Sequence, residues 1–336
     1  MYRKIMGFLE GWKESEHRKP LILQGARKVG KTYSLLEFGR THYENVAYFN
    51  FETNPKLNET FEENISPDYL IPILSHIAGQ TIVKEKTLMV FDEVQLCERA
   101  LTSLKYFCEN APDYHIIVAG SLLGVAVNRA KFSFPVGKVD MKTLYPMDME
   151  EFMMALGEDD LVKQIKKCFQ TDTPLPSALH DAAMQLYRQY LVVGGMPECV
   201  MQFAGTKDYI LVRHTQDTIL ASYLNDMSKY NTLNEIKKTR LAYDNITVQL
   251  SKKNTRFQYK LIKKGGRASE FENAIEWLCL SGIVSQVYKV EQIKKPLENY
   301  RDIDAFKIYV SDLGLLCAKK DLAANDILYM VEEIND

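Results

Sequence analysis

The sequence predicts an α/β protein, a parallel five-stranded sheet followed by a helical region and then by helices that end in a two-stranded hairpin. Three observations lead there. Short, nearly continuous apolar strands alternate with helical stretches up to about residue 150. A glycine-containing loop joins the first strand to the helix that follows it. From about Asp148 the strands give way to helices.

The elements follow in order. Residues 1–18 read as an amphipathic helix, with Ile5, Phe8, Leu9 and Trp12 at helical spacing. Strands are expected at 20–26, Val46–Phe51, 87–93 and 115–121, and a fifth within 139–147. Helices are expected at Lys31–His42, around Phe61–Ala78 and at Arg99–Asn110. Beyond Asp148, helices at Met149–Leu156, Leu161–Phe169 and Leu179–Val193 lead to a turn, Gly194-Gly195-Met196-Pro197, and further helix to about Met227. Glu270–Leu280 is the last helix before strands at Ile283–Val290 and Phe306–Val310, linked by the polar segment 291–305. Helices followed by such a hairpin suggest a winged helix. The domain reading is a core over 1–150, a helical lid over 151–230, a winged-helix domain over 231–317 and a tail over 318–336.

The bulk numbers fit a globular chain of two or three domains: 336 residues, 46% hydrophobic and 26% charged. A formal net charge of -2 excludes a molecule that binds polyanions over its whole surface. No apolar run is long enough for a membrane span, and the start lacks the pattern of a secretion signal. The six cysteines lack zinc-ligand spacing and suggest reduced thiols in a cytoplasm. The six histidines form no recognisable catalytic set.

The chemistry concentrates in Gly25, Ala26, Arg27, Lys28, Val29, Gly30, Lys31 and Thr32, with Tyr33 next in line. This matches the phosphate-binding pattern GxxxxGK[ST]. Gly25 and Gly30 allow the backbone to wrap closely round phosphates, and the ring of N–H groups points at the anion. The helix beginning near Lys31 adds its positive dipole end. Lys31 is the β- and γ-phosphate contact, and the Thr32 hydroxyl is a magnesium ligand. The apolar run Leu88–Phe91 then ends in Asp92-Glu93. Asp92 is read as the holder of the metal's water shell and Glu93 as the general base. One further strand lies between the two motifs, the order of the catalytic-glutamate branch of P-loop ATPases. Ser121, after the fourth strand, is a candidate γ-phosphate sensor. The plain alternatives are a glycine turn at the loop, a strand cap at Asp92-Glu93 and a Gly-Ser turn at Ser121.

The stretches LILQGARKVGKT, YFNFE, LMVFDEVQ, IIVAGSLLGVA, YPMDMEEF, YLVVGGMPE and FKIYVSDLGLL resemble the AAA-type ATPases of bacteria and archaea. In these a P-loop domain precedes a winged-helix region and a C-terminal domain of uncertain function. The resemblance implies ATP and Mg2+ as cofactors, ATP hydrolysis by Lys31, Thr32, Asp92 and Glu93, and accessory roles for Ser121 and Gln95. The family often has Gly-Arg where this chain has Gly137-Lys138, so an arginine finger would be replaced imperfectly and turnover would be low. Arg129 is an alternative finger, and Arg188, on the helix before the Gly194-Gly195 turn, is a candidate phosphate sensor against the plain reading of a surface arginine. The group usually continues past the DLGLL stretch, so either a longer natural chain or a shortened family member is expected.

Lys237, Lys238, Arg240, Lys252, Lys253, Arg256, Lys260, Lys263, Lys264 and Arg267 crowd the third region, with Phe257 and Tyr259 among them. They suggest a DNA-contacting surface, against a solvated face or a contact between domains. The leading function is an ATP-driven switch acting on DNA or a protein partner, working as a homo-oligomer if its sites sit at subunit boundaries. The rival is a winged-helix DNA-binding regulator in which ATP is an effector.

Overall fold

The computed structural model describes residues 1–121, 135–229, 233–252 and 256–329. They form two compact units, Tyr2–Tyr145 and the chain from Pro146 onward with Met1. Arg129 and Lys253 lie outside the described residues, as does the end of the tail from 330.

The first unit carries β1 (Leu21–Gln24), β2 (Asn45–Asn50), β3 (Thr87–Asp92), β4 (His115–Ala119) and β5 (Asp140–Thr143) in the order β2-β3-β4-β1-β5. Every pairing is parallel, as expected. All six residues of β3 are buried, because it has neighbours on both edges and helices over its faces. β5 pairs only with β1 and is partly exposed throughout. An edge strand needs no apolar run, so its sequence, DMKT, gives only a weak strand signal.

The helices of this unit are α1 (Ile5–Lys13), α2 (Lys31–His42), α3 (Lys56–Glu63), α4 (Pro67–Ala78) and α5 (Glu98–Asn110). Two helices replace the single one expected around 61–78. Pro67 opens α4 and holds Ser66 in extended backbone (φ -74°, ψ 140°), which ends any continuous helix there. On one sheet face Phe49, Phe51, Phe61 and Phe91 meet with ring centroids 5.6–5.8 Å apart, mostly edge to face. Elsewhere α2 packs so closely on the sheet that a Cβ on Gly39 would sit 2.3 Å from Val46 Cγ2. The register pairs Phe91 with Val118 and Val118 with Ile22, so the carboxyl tips of β3, β4 and β1 lie level.

The second unit begins with α6 (Met149–Ala155), whose start explains the DMEE run. Asp148 Oδ1 accepts from Glu151 N at 2.9 Å, and Glu151 Oε2 accepts from Asp148 N at 3.2 Å, a reciprocal cap. Then come α7 (Asp159–Gln170), α8 (Ser177–Val193), α9 (Pro197–Thr206), α10 (Tyr209–Lys229), α11 (Leu233–Leu250), α12 (Tyr259–Ile262) and α13 (Ala268–Leu280). An antiparallel hairpin of β6 (Val284–Val290) and β7 (Arg301–Val310) follows, then α14 (Leu313–Lys319) and α15 (Ala324–Leu328). β7 starts at Arg301 rather than Phe306. Its first four residues are mostly solvent-facing, and a polar strand reads like a loop.

The turn after α8 is a fixed knot. Buried Asp312 accepts from Gly195 N at 2.6 Å and from Leu315 N at 2.8 Å. Gly195 O accepts from Met147 N at 2.6 Å. A Cβ on Gly195 would lie 1.9 Å from Met147 O. Gly195→Ala is therefore expected to destabilise this unit by several kcal/mol, the range of severe backbone clashes. Gly205→Ala, on α9 with nothing within 4 Å of the new atom, is expected to be neutral or stabilising by about 0.5–1 kcal/mol. Urea unfolding of the two variants checks the contrast.

Burial pushes Asp312 up from 3.8 to about 6, partly offset by the backbone donors. The folded state then holds this proton more tightly than the unfolded chain. The carboxyl's contribution to stability is greatest below the unfolded value and declines as pH rises through about 6. Comparing unfolding free energy from pH 4 to 7 should show a flatter profile for Asp312→Asn than for the wild type.

Candidate functional site

The loop between β1 and α2 is built for a close approach. Gly30 stands at the helix start with φ 91°, and Lys28 is also left-handed at φ 70°. A left-handed lysine is unusual and marks a loop held by its surroundings. Gly25 (φ 149°) has a second reason to be glycine. A Cβ there would meet Leu144 O at 2.2 Å, because β1 and the end of β5 converge. Lys31 Nζ donates to Gly25 O at 2.8 Å and Ala26 O at 2.9 Å, folding the side chain back over its own loop. Ala26 and Val29 are buried, Arg27 and Thr32 half-buried, and Lys28 and Tyr33 exposed.

Across the sheet, Asp92 is 4% exposed at the tip of β3. Thr32 Oγ1 donates to Asp92 Oδ2 at 2.7 Å, the contact that joins the two motifs. Asp92 Oδ1 accepts from Glu93 N at 3.0 Å. A hydroxyl and a carboxylate side by side are hard oxygen ligands of the kind magnesium takes, and they stand beside the glycine-bearing loop. The donor set therefore fits a Mg-nucleotide, with Thr32 and Asp92 on the metal side and Gly25–Thr32 on the phosphate side. Glu93 is left-handed (φ 52°), and its carboxylate accepts from Gln95 Nε2 at 2.5 Å. Gln95 Oε1 is buried without a partner among the described residues. Buried Ser121 follows β4, the strand between β1 and β3, at the same edge.

Other candidates fall elsewhere. Lys138 Nζ lies 3.0 Å from Glu109 in an exposed ion pair. Arg188 sits half-buried on α8 in the second unit. Among the described residues no His, Cys, Asp and Glu cluster could hold a metal, and the six cysteines are free.

Two residues at the site lie outside both nucleotide motifs. Arg3, 4% exposed, donates from Nη1 to Val29 O at 2.9 Å and from Nη2 to Tyr145 O at 2.8 Å. It braces the loop against the segment after β5. Tyr48, on β2, donates to Asp92 Oδ2 at 2.9 Å.

Residues 17–153 match the AAA domain family. The first unit is an AAA-type P-loop domain. Residues 184–326 match a domain of unknown function, DUF8612. Among solved structures, the Walker-type ATPase of Pyrococcus abyssi aligns at 13% identity with a TM-score of 0.57, covering 95% of each chain, a likeness of fold. The ORC2 protein of Aeropyrum pernix, solved in ADPNP–ADP complexes, aligns at 11% identity, a TM-score of 0.42 and 95% and 94% coverage. RuvB of Thermotoga maritima aligns at 15%, with a TM-score of 0.36 and 84% and 87% coverage. No curated protein matches the sequence. Among the described residues no helix is long and apolar enough to cross a membrane.

Arg3 gives the AAA domain a sharp test. Arg3→Met keeps the apolar stem and removes both bonds, leaving two carbonyls without this donor. Hydrogen bonds to charged groups are worth about 1.5–3 kcal/mol each. A fall in urea stability of that order, with weaker nucleotide binding, is expected.

Proposed function

We propose that this chain binds Mg-ATP in the loop Gly25–Thr32 and hydrolyses it, using the cycle as a conformational switch. The Thr32–Asp92 hydrogen bond carries the reading, since it joins the phosphate loop to the acidic strand tip. Lys31, on losing its contacts with Gly25 O and Ala26 O, would reach the β- and γ-phosphates. Thr32 and Asp92 would hold magnesium, which would supply positive charge to offset that of the phosphates. Glu93 would take a proton from the attacking water as its oxygen bonds to the γ-phosphorus, and the bond to the β-phosphate oxygen breaks to leave ADP. Ser121 would sense the γ-phosphate. The free thiols suit a cytoplasmic setting.

The expected outcome for Glu93→Gln is ATP affinity near wild type and turnover lower by roughly 10²–10⁴-fold, the contribution of a general base. ATP turnover and equilibrium nucleotide binding, measured on the same protein, check it. A wild type that binds ATP but shows no turnover above background would shift the reading to ATP as an effector.

The DNA-binding regulator is supported less well. The order of α11, α12, α13 and the hairpin suits a winged helix, in which the helix before the hairpin would enter the major groove. That helix, α13, turns Glu272, Asn273 and Glu276 to solvent, carboxylates facing where phosphates would lie. Several of the basic residues also have partners within the chain. Lys263 pairs with Glu270 at 3.1 Å, Arg240 donates to Ser228 Oγ at 2.8 Å, and Arg256 donates to Asp304 O at 3.0 Å. A protein partner is therefore the preferred target of the switch. Duplex DNA titrated at rising salt should bind weakly, fade with salt and leave ATP turnover unchanged. Tight binding that accelerates turnover would reverse the preference.

A further inference from the structure

We infer that Tyr48 is a positioning residue of the nucleotide site, fixing the Asp92 carboxylate through its hydroxyl and so setting how tightly the site holds a divalent cation with ATP. The inference rests on the ATP reading of the loop and goes beyond it, because neither sequence motif contains Tyr48.

β2 is the outer strand beyond β3, and its side chains alternate. Ala47 and Phe49 are buried, so Tyr48 and Asn50 belong to the opposite face. Tyr48 is 37% exposed, yet its hydroxyl is not spent on water alone. It donates to Asp92 Oδ2 at 2.9 Å, the same oxygen that accepts from Thr32. The direction of that bond is settled by a second one. Asn50 Nδ2 donates to the Tyr48 oxygen at 3.2 Å, which leaves the phenol proton for Asp92. Asn50 is itself held, its Oδ1 accepting from Glu52 N at 2.9 Å and Thr53 N at 3.0 Å. A relay thus runs from the turn after β2, through Asn50 and Tyr48, to the carboxylate beside the metal side of the loop. The phenol stays protonated at neutral pH, since burial first, and then the Asp92 and Glu93 charges, push it up to about 12 against the Asn50 contact.

The division of labour at Asp92 gives the relay its consequence. Oδ1 is held by the Glu93 backbone N–H, at the turn just after the strand. Oδ2 has two side-chain donors, and one of them, Thr32, is the residue that would turn its oxygen to the metal. Tyr48 is then the donor that keeps Oδ2 in place whether or not a cation is bound. Groups that orient metal ligands typically change metal affinity by 10–100-fold when removed. A tyrosine that merely covers the sheet edge would affect stability and leave the metal requirement alone.

The test is equilibrium binding of a fluorescent ATP derivative to wild type, Tyr48→Phe and Asn50→Ala, in EDTA and across a Mg2+ titration. Phenylalanine keeps the ring and removes only the hydroxyl. Tyr48→Phe is expected to bind the nucleotide as wild type does in EDTA, and to need roughly tenfold more Mg2+ for the metal-dependent gain. Asn50→Ala, which leaves the tyrosine intact, should shift the same way by less. A Mg2+ requirement equal to wild type in Tyr48→Phe overturns the role of Tyr48 and leaves the ATP site standing. A wild type that shows no Mg2+-dependent binding overturns the ATP reading, and this inference with it.

Discussion

One hydrogen bond, from Thr32 to Asp92, gives the first unit its chemical meaning, and the sheet exists to make it possible. At about 1.5–3 kcal/mol, a bond to a charged group is too weak to hold the fold together. The dependence runs the other way. The ring contacts among Phe49, Phe51, Phe61 and Phe91 and the wholly buried β3 fix where the strands lie. The pairing of β3 with β4 and of β4 with β1 brings their tips level. A slip of one residue in β3 would move Asp92 by about 3.3 Å and turn its side chain to the other face. The loop would then have no carboxylate beside it, with both sequence motifs unchanged.

The motifs were legible because each is local. The glycine loop, its following helix and the acidic strand end are runs of adjacent residues, and the strands between them are apolar enough to be counted. What was not legible is what reaches across the chain. Arg3 touches Tyr145, and nothing in its neighbourhood distinguishes it from a surface arginine at a helix start. Tyr48 looks like one more aromatic in a strand until the pairing of β2 with β3 puts it beside Asp92. In sequence, Gly25 has only one reason to be glycine, the close wrap of its loop. Its clash with Leu144 O is a property of the β1–β5 pairing, which the sequence of the polar edge strand barely shows.

In the second unit the same limit acts on charge. A segment rich in lysine and arginine looks like a continuous basic surface in sequence. In the fold, Lys263 and Arg256 meet partners from their own unit, and Lys319 pairs with Asp244 at 3.0 Å while lying over the Tyr243 ring. The face of α13 is acidic where a groove-reading helix should be basic. The glycines of the GGMPE stretch, by contrast, read in sequence simply as a turn between helices. They are held because backbone, the Asp312 carboxylate and the Gln216 amide crowd against Gly194, Gly195 and Gly314.

The pair Asp92-Glu93 poses a geometric problem that the backbone resolves. Consecutive residues of a strand point to opposite faces, so two adjacent carboxylates cannot both serve one site while the strand continues. β3 ends at Asp92, and Glu93 takes a left-handed conformation that breaks the alternation. A short 3-10 turn, Val94–Leu96, follows at once and places Gln95 where its amide meets the Glu93 carboxylate. Left-handed backbone at a non-glycine residue costs about 1–2 kcal/mol, so this strained residue stands where the surrounding contacts over-determine it. Its carboxylate is engaged with Gln95, and a general base has to be free to accept a proton. In the proposed mechanism that role would fall to Oε1, because Gln95 holds only Oε2.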